Sequence, residues 1–170
     1  MIDRYLKPNV KRGAIYDAIV AAVLGILTAI PILGCLVSPL TCLIGLVLPF
    51  AIGWLVAQWG QSMPAGPTPL SVSSTSPYAT PAVDGAVATG VGHLAGGLVS
   101  LVIGLLVSSL FTSISAASDL SSTGSAVAGL AFGAAGGVVG LIFGAIIAAI
   151  AGAIGGVLYV VFSQRRASAM

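Results

Sequence analysis

Between Asp17 and Arg165 the chain carries only two charged residues, Asp84 and Asp119. A soluble domain typically has about a quarter of its residues charged. Here the whole chain is 6% charged and 58% apolar, with a mean hydropathy of +1.14. A folded monomer of that composition cannot cover its surface with polar groups, so the solvent that suits it is lipid. The same scarcity narrows the chemistry. One His, four Asp and no Glu leave few groups for acid–base or metal catalysis. No Walker loop, zinc-ligand spacing or Ser/His/Asp set is present, and the chain reads as a non-enzyme.

A hydrocarbon core of about 30 Å requires about 20 mostly apolar helical residues. Four stretches qualify, at 14–33, 38–59, 83–112 and 127–163. All six Lys and Arg lie before the first or after the last. The excess of basic residues in cytoplasmic segments places both termini in the cytoplasm, which requires an even number of spans. The expected fold is therefore all-α, an integral membrane protein of the cytoplasmic (inner) membrane with four transmembrane helices. Tyr16, Trp54, Trp59 and Tyr159 fall at the predicted cytoplasmic ends, where an interfacial aromatic belt belongs.

The chain divides into a basic N-terminus (1–13), a first hairpin (14–59), a Pro/Ser/Thr-rich linker (60–82), a second hairpin (83–164) and a basic tail (165–170). The first hairpin is expected to turn between Gly34 and Pro39. Ile32-Leu33-Gly34-Cys35 has the form of a lipoprotein cleavage site, but the residues after Cys35 are apolar, not a polar tether. Cys35 and Cys42 flank the expected turn; they form either a disulfide or two buried thiols. Asp17-x3-Ala21-x3-Gly25-x3-Ala29 parallels Asp84-x3-Ala88-x3-Gly92-x3-Gly96. That pattern suggests either a duplicated hairpin or the shared composition of Gly/Ala-rich helices.

The strongest pattern is a pair of small-residue ridges. Span 3 carries Ala88, Gly92, Gly96, Ser100, Gly104, Ser108 and Thr112 at four-residue spacing. Span 4 carries Gly136, Gly140, Gly144, Ala148, Gly152 and Gly156. Lipid tails are as apolar as Leu, so helices in a bilayer associate by close packing, and small residues let backbones approach. The two ridges are expected to pack against each other. Gly133/Gly137 or Gly90/Gly97 offers a second smooth face for another subunit or a flat ligand.

His93 is the lone histidine and lies well inside span 3, where an ionisable residue is a functional candidate by default. Gly90, Gly92, Gly96 and Gly97 surround it in sequence and would clear room for a planar macrocycle. A (bacterio)chlorophyll magnesium or one face of a haem is one reading. The others are a neutral imidazole bonded to Thr28, Ser38 or a carbonyl, and proton handling. Asp17 and Asp84 stand at the expected starts of spans, which favours helix capping over a proton relay. Gly90-x-Gly92-x-x-Ala95 has the outline of a dinucleotide fingerprint, but it follows no strand and is rejected.

Several short motifs together resemble a family of small glycine-rich four-helix membrane proteins of green filamentous bacteria and archaea. They are Ile30-Pro31 at the end of a helix, the cysteines of the first connection, Asp84-Gly85 opening the third span, and Gly155-Gly156 before Tyr159. The resemblance covers most of 13–163, and this chain departs from it in lacking adjacent cysteines. It implies the four-helix fold and no catalytic residue.

These features point to a non-catalytic accessory subunit of a larger membrane complex, such as a photosynthetic reaction-centre or antenna assembly or a respiratory one. Its partners would be other membrane subunits and lipids, with neither nucleic acid nor a soluble substrate. The alternative is a small homo-oligomeric channel or transporter lined by Ser100, Ser108 and Thr112.

Overall fold

In the computed structural model, which describes residues 6–62, 76–118 and 123–168, the chain is all-helical. It forms α1 (Pro8–Ala29), α2 (Pro31–Ser62), α3 (Ala79–Ser118) and α4 (Thr123–Ser168). Each contains a segment long and apolar enough to cross a membrane: Pro8–Ala29, Pro39–Ser62, Ala79–Leu110 and Gly133–Ala167. The expected linker is thus helical at both edges, and its middle, 63–75, lies outside the described residues.

Proline sets the first boundaries. Pro8 occupies the first turn of α1, where its missing N–H costs nothing and its fixed φ suits a helix. The α1 helix therefore begins six residues before the apolar run that marks it in the sequence. It ends at Ile30, which is extended (φ −82°, ψ 117°) because the residue before a proline is pushed out of the helical region. Pro31 then opens α2. The first hairpin consequently turns at Ile30 and not between Gly34 and Pro39. Pro39 and Pro49 lie inside α2; prolines are tolerated within membrane-type helices because neighbouring helices and local adjustments can re-satisfy the freed backbone groups.

The helices run up, down, up and down. The starts of α1 and α3 meet the ends of α2 and α4, as three contacts establish: Lys7 with Asp84, Asn9 with the carbonyl of Val56, and Tyr78 with Gln164. These contacts define a proximal end, where α1 begins and α4 ends. The most extensive interfaces are α3–α4 and α1–α3, α2 packs on α4 and α1, and α2 and α3 meet across the middle. Beyond the Lys7–Asp84 pair, α3 runs twelve residues further than α1, about 18 Å. The outer surface is apolar along its length, with Ile19, Leu43, Leu106, Phe143 and Ile147 exposed. Among the described residues no helix has the polar stripe that would face water.

The proximal end is held by an apolar cluster and by polar clasps around it. Val10, Ile52, Val56 and Ala88 are buried together, one from α1, two from α2 and one from α3. Lys7 Nζ donates to both carboxylate oxygens of Asp84 at 3.0 Å, with the two side chains only 9% and 13% exposed. Asn9 Nδ2 donates to the Val56 carbonyl at 3.1 Å. Trp54 meets Tyr159 edge-on at 5.4 Å, Tyr16 sits 6.0 Å from Trp59, and Tyr159 donates its hydroxyl to Gln61. The four aromatics marked in the sequence thus collect at one end.

Candidate functional site

Both small-residue ridges meet helices, but not in the way the sequence suggests. The Ala88/Gly92/Gly96/Ser100 face of α3 packs on α1. A methyl group at Gly92 would lie 2.6 Å from the Cβ of Asp17 and 2.7 Å from the Ala14 carbonyl, and one at Gly96 would strike Ala18 and Ala21. Ser100 donates its hydroxyl to the carbonyl of Ala21 at 3.0 Å. The face of α3 that meets α4 is the adjacent series Gly85, Thr89, His93, Gly97 and Leu101. The reason is that close approach needs small groups on both partners, and α1 supplies them in Gly13, Ala14, Ala18, Ala21 and Gly25.

On α4 the proximal half of the ridge does face α3. Gly152 lies against Gly85 and Thr89, Gly156 against the carbonyl of Pro81, and Gly144 against His93. Thr89 Oγ is 2.7 Å from the Ala148 carbonyl, a polar link between the two helices. Gly53 of α2 closes on the same Gly152 carbonyl, so three backbones converge where no Cβ fits. Distally the ridge members Gly104, Gly136 and Gly140 have nothing among the described residues within 4 Å of the point a Cβ would occupy, and the same holds for Gly45 and Gly133. The expected second smooth faces are split. Gly90, Gly97 and Gly137 are covered by Ala149, Leu141 and Leu101 within the bundle, and Gly133 stays open.

Two further readings change. The glycines near His93 in sequence do not clear a space for it: α1 fills Gly92 and Gly96, and α4 fills Gly90 and Gly97, although His93 does border the cavity described below. Its ring instead occupies the room left by Gly144, where a Cβ would sit 2.7 Å from Nε2. Asp17 and Asp84 are not helix caps. With α1 starting at Pro8 and α3 at Ala79, both stand inside helices, too far from the free N–H groups to satisfy them. Asp84 is the partner of Lys7, whereas Asp17 packs eight residues deeper on α3, against Gly92. The two aspartates thus sit at different depths, so the parallel between their sequence series has no counterpart in space.

Where the helices part, they leave an open-sided cavity of about 460 Å³ lined by all four. Leu24, Leu48, Leu101 and Leu141 supply its apolar walls, and Gly45, Gly104 and Gly140 provide its width. Asp17 and His93 lie at its proximal end; Thr28, Thr41 and Gly140 lie towards the distal end. Asp17 is 1% exposed, and its Oδ2 accepts no hydrogen bond. Buried polar atoms are nearly always partnered. That oxygen lies beside Gly92 of α3, and Asp17 is the one carboxyl group among the residues that border the cavity.

Ser100 lines the cavity while bonded to α1, and Ser108 bonds back to its own helix at the Gly104 carbonyl. The side chains of Thr112, Cys35 and Cys42 lie outside the described residues. The backbone at both cysteines belongs to α2, and seven residues of unbroken helix span about 10 Å, more than the roughly 7 Å that a disulfide bridges between Cα atoms. Among the described residues no group of three or more His, Cys, Asp or Glu gathers as a metal site.

Asp17 reads as a cap only if the helix begins with the apolar run. The signal that locates it correctly is Pro8, which starts the helix nine residues earlier. No protein-family profile, curated protein or solved structure matches the chain.

Proposed function

We propose that this is a non-catalytic protein of the cytoplasmic membrane that holds a small, mostly apolar molecule between its four helices. The observation that carries this reading is the cavity itself: bounded by every helix, walled by leucines, and ending at a buried carboxyl group whose Oδ2 has no donor. Its volume of about 460 Å³ lies in the range of small-molecule sites, and such sites pair apolar walls with a few placed polar groups. With Lys7, Lys11, Arg12, Arg165 and Arg166 all at the proximal end, that end is cytoplasmic. The clasped end then seals the cavity from the cytoplasm, and its loosely packed half lies towards the outer leaflet.

The test is to purify the full chain from its native membrane in mild detergent and identify co-purifying small molecules by mass spectrometry. A near-stoichiometric molecule is expected, and it should be lost when Leu101→Trp fills the middle of the cavity. Recovery of bulk lipid alone, equally with both proteins, would sink the reading.

An accessory role in a larger membrane complex is the second reading. The open space beside Gly104, Gly133, Gly136 and Gly140 favours it, together with the reach of α3 beyond α1. A neighbouring subunit's helix could seat there as closely as α1 does on Gly92 and Gly96. Co-purification with foreign subunits supports this role, and a species containing only this chain argues for the self-contained binding protein or, if ring-shaped, the homo-oligomeric channel.

A further inference from the structure

We infer that the cavity is selective for molecules carrying a protonated amine on an apolar body, with Asp17 as the counter-ion. This rests on the cavity reading above and names the class of ligand. An unpartnered acceptor buried in an apolar setting costs about 1–3 kcal/mol, more when charged. A carboxyl group in a membrane-spanning segment normally has a partner that explains it. Among the described residues no donor reaches Asp17 Oδ2. Lys7 is committed to Asp84, ten residues and about 15 Å before Asp17 on the helix. Lys11 and Arg12 are exposed at the proximal end, and Arg165 and Arg166 are in the last turn of α4. Of the residues lining the cavity from α2, α3 and α4, His93 is the titratable one, and its Nε2 is turned to Gly144.

The rest of the chamber excludes the other cationic occupants. A metal ion needs several donors, and no set of three forms among the described residues. A hydrated inorganic ion would meet leucine walls. An organic amine satisfies both halves of the site at once: N–H donors and charge for Asp17, apolar body for Leu24, Leu101 and Leu141. From Asp17 to Thr28 the lining extends eleven residues along α1, about 16 Å, which suits an elongated molecule lying along the bundle axis.

The experiment compares decylamine with decanol, which share an alkyl body and differ in the head group, by native mass spectrometry of the full chain in detergent. Decylamine is expected to occupy one site at least tenfold more tightly than decanol. Asp17→Asn should reduce that ratio to near one while leaving decanol binding in place, and Leu101→Trp should abolish both. Equal binding of the two by the unaltered chain overturns amine selectivity and leaves the cavity reading intact. Binding of neither overturns both. An amine preference that persists in Asp17→Asn also overturns the assignment, since the preference then arises elsewhere. The decisive comparison is made on the unaltered chain, so it stands even if the variant fails to fold.

Discussion

The two ends of this bundle are built from the same residue types and behave in opposite ways. Proximally, Gly53, Gly85 and Gly152 sit backbone to backbone, and each would drive a methyl group into a carbonyl. Distally, Gly45, Gly104, Gly136 and Gly140 have free space beside them. Among the described residues most polar interactions between helices follow the same division: Lys7–Asp84, Asn9–Val56, Thr89–Ala148 and the aromatic contacts lie proximally, while Ser100–Ala21 lies beside the cavity. Glycine is thus a means of close packing only where a partner backbone arrives. Where none does, it leaves room, and here that room widens into a cavity whose inner end is Asp17.

Substitutions that exploit this contrast should rank clearly. The largest effect is expected from Gly152→Leu, which places a side chain where three backbones meet. Overpacking of a tight site costs about 1–3 kcal/mol and more when nothing can relax, and with carbonyls as the obstacle the loss should exceed about 3 kcal/mol. A thermal or denaturant melt in detergent would read it, and a melt unchanged from the parent would break the description of the proximal end. Next, Lys7→Met leaves Asp84 without its cation. Removing one partner of a buried pair costs about 3–5 kcal/mol, and the residual exposure of this pair places the loss near the lower figure. A Lys7→Met/Asp84→Leu double variant should regain most of it.

Smaller effects isolate the interhelical hydrogen bonds. Thr89→Val keeps the shape and removes the link to Ala148, and Ser100→Ala removes the link to Ala21. Bonds of this kind in membranes average about 0.6 kcal/mol and reach about 1.7. Thr89, fully buried and bonded at 2.7 Å, should lie towards the upper figure and Ser100 towards the average. At the other extreme, Gly140→Ala should move the melt by less than about 0.5 kcal/mol, as surface substitutions do. A loss comparable to that of Gly152→Leu would mean that the distal helices close in the protein's own membrane, and the cavity with them.

How much of this the sequence contains depends on the kind of interaction. Four helices and a common end for the start of α1 and the end of α4 are legible in it. Crossing a bilayer requires about 20 mostly apolar helical residues, four stretches meet that requirement, and all six basic residues flank them. Element boundaries are less legible, because apolarity marks the lipid-crossing part and not the helix: α1 starts at Pro8 and turns at Ile30, both fixed by proline sterics and not by hydropathy. The small-residue spacing on α3 is real in the sequence, yet its partner is not. Two overlapping four-residue series run along that helix one position apart, and periodicity cannot say which neighbour each will meet.

The sequence by itself therefore determined the apolar, all-helical character, the helix number and the positions where backbones are able to approach, since each follows from local composition. Only the tertiary structure decided that α1 and not α4 takes the Ala88–Ser100 ridge, that His93 fills the gap at Gly144, and that Asp17 is a buried acceptor and not a cap. Those are matters of which helix stands beside which and at what height. They are set by the joint fit of four surfaces, which no single helix encodes.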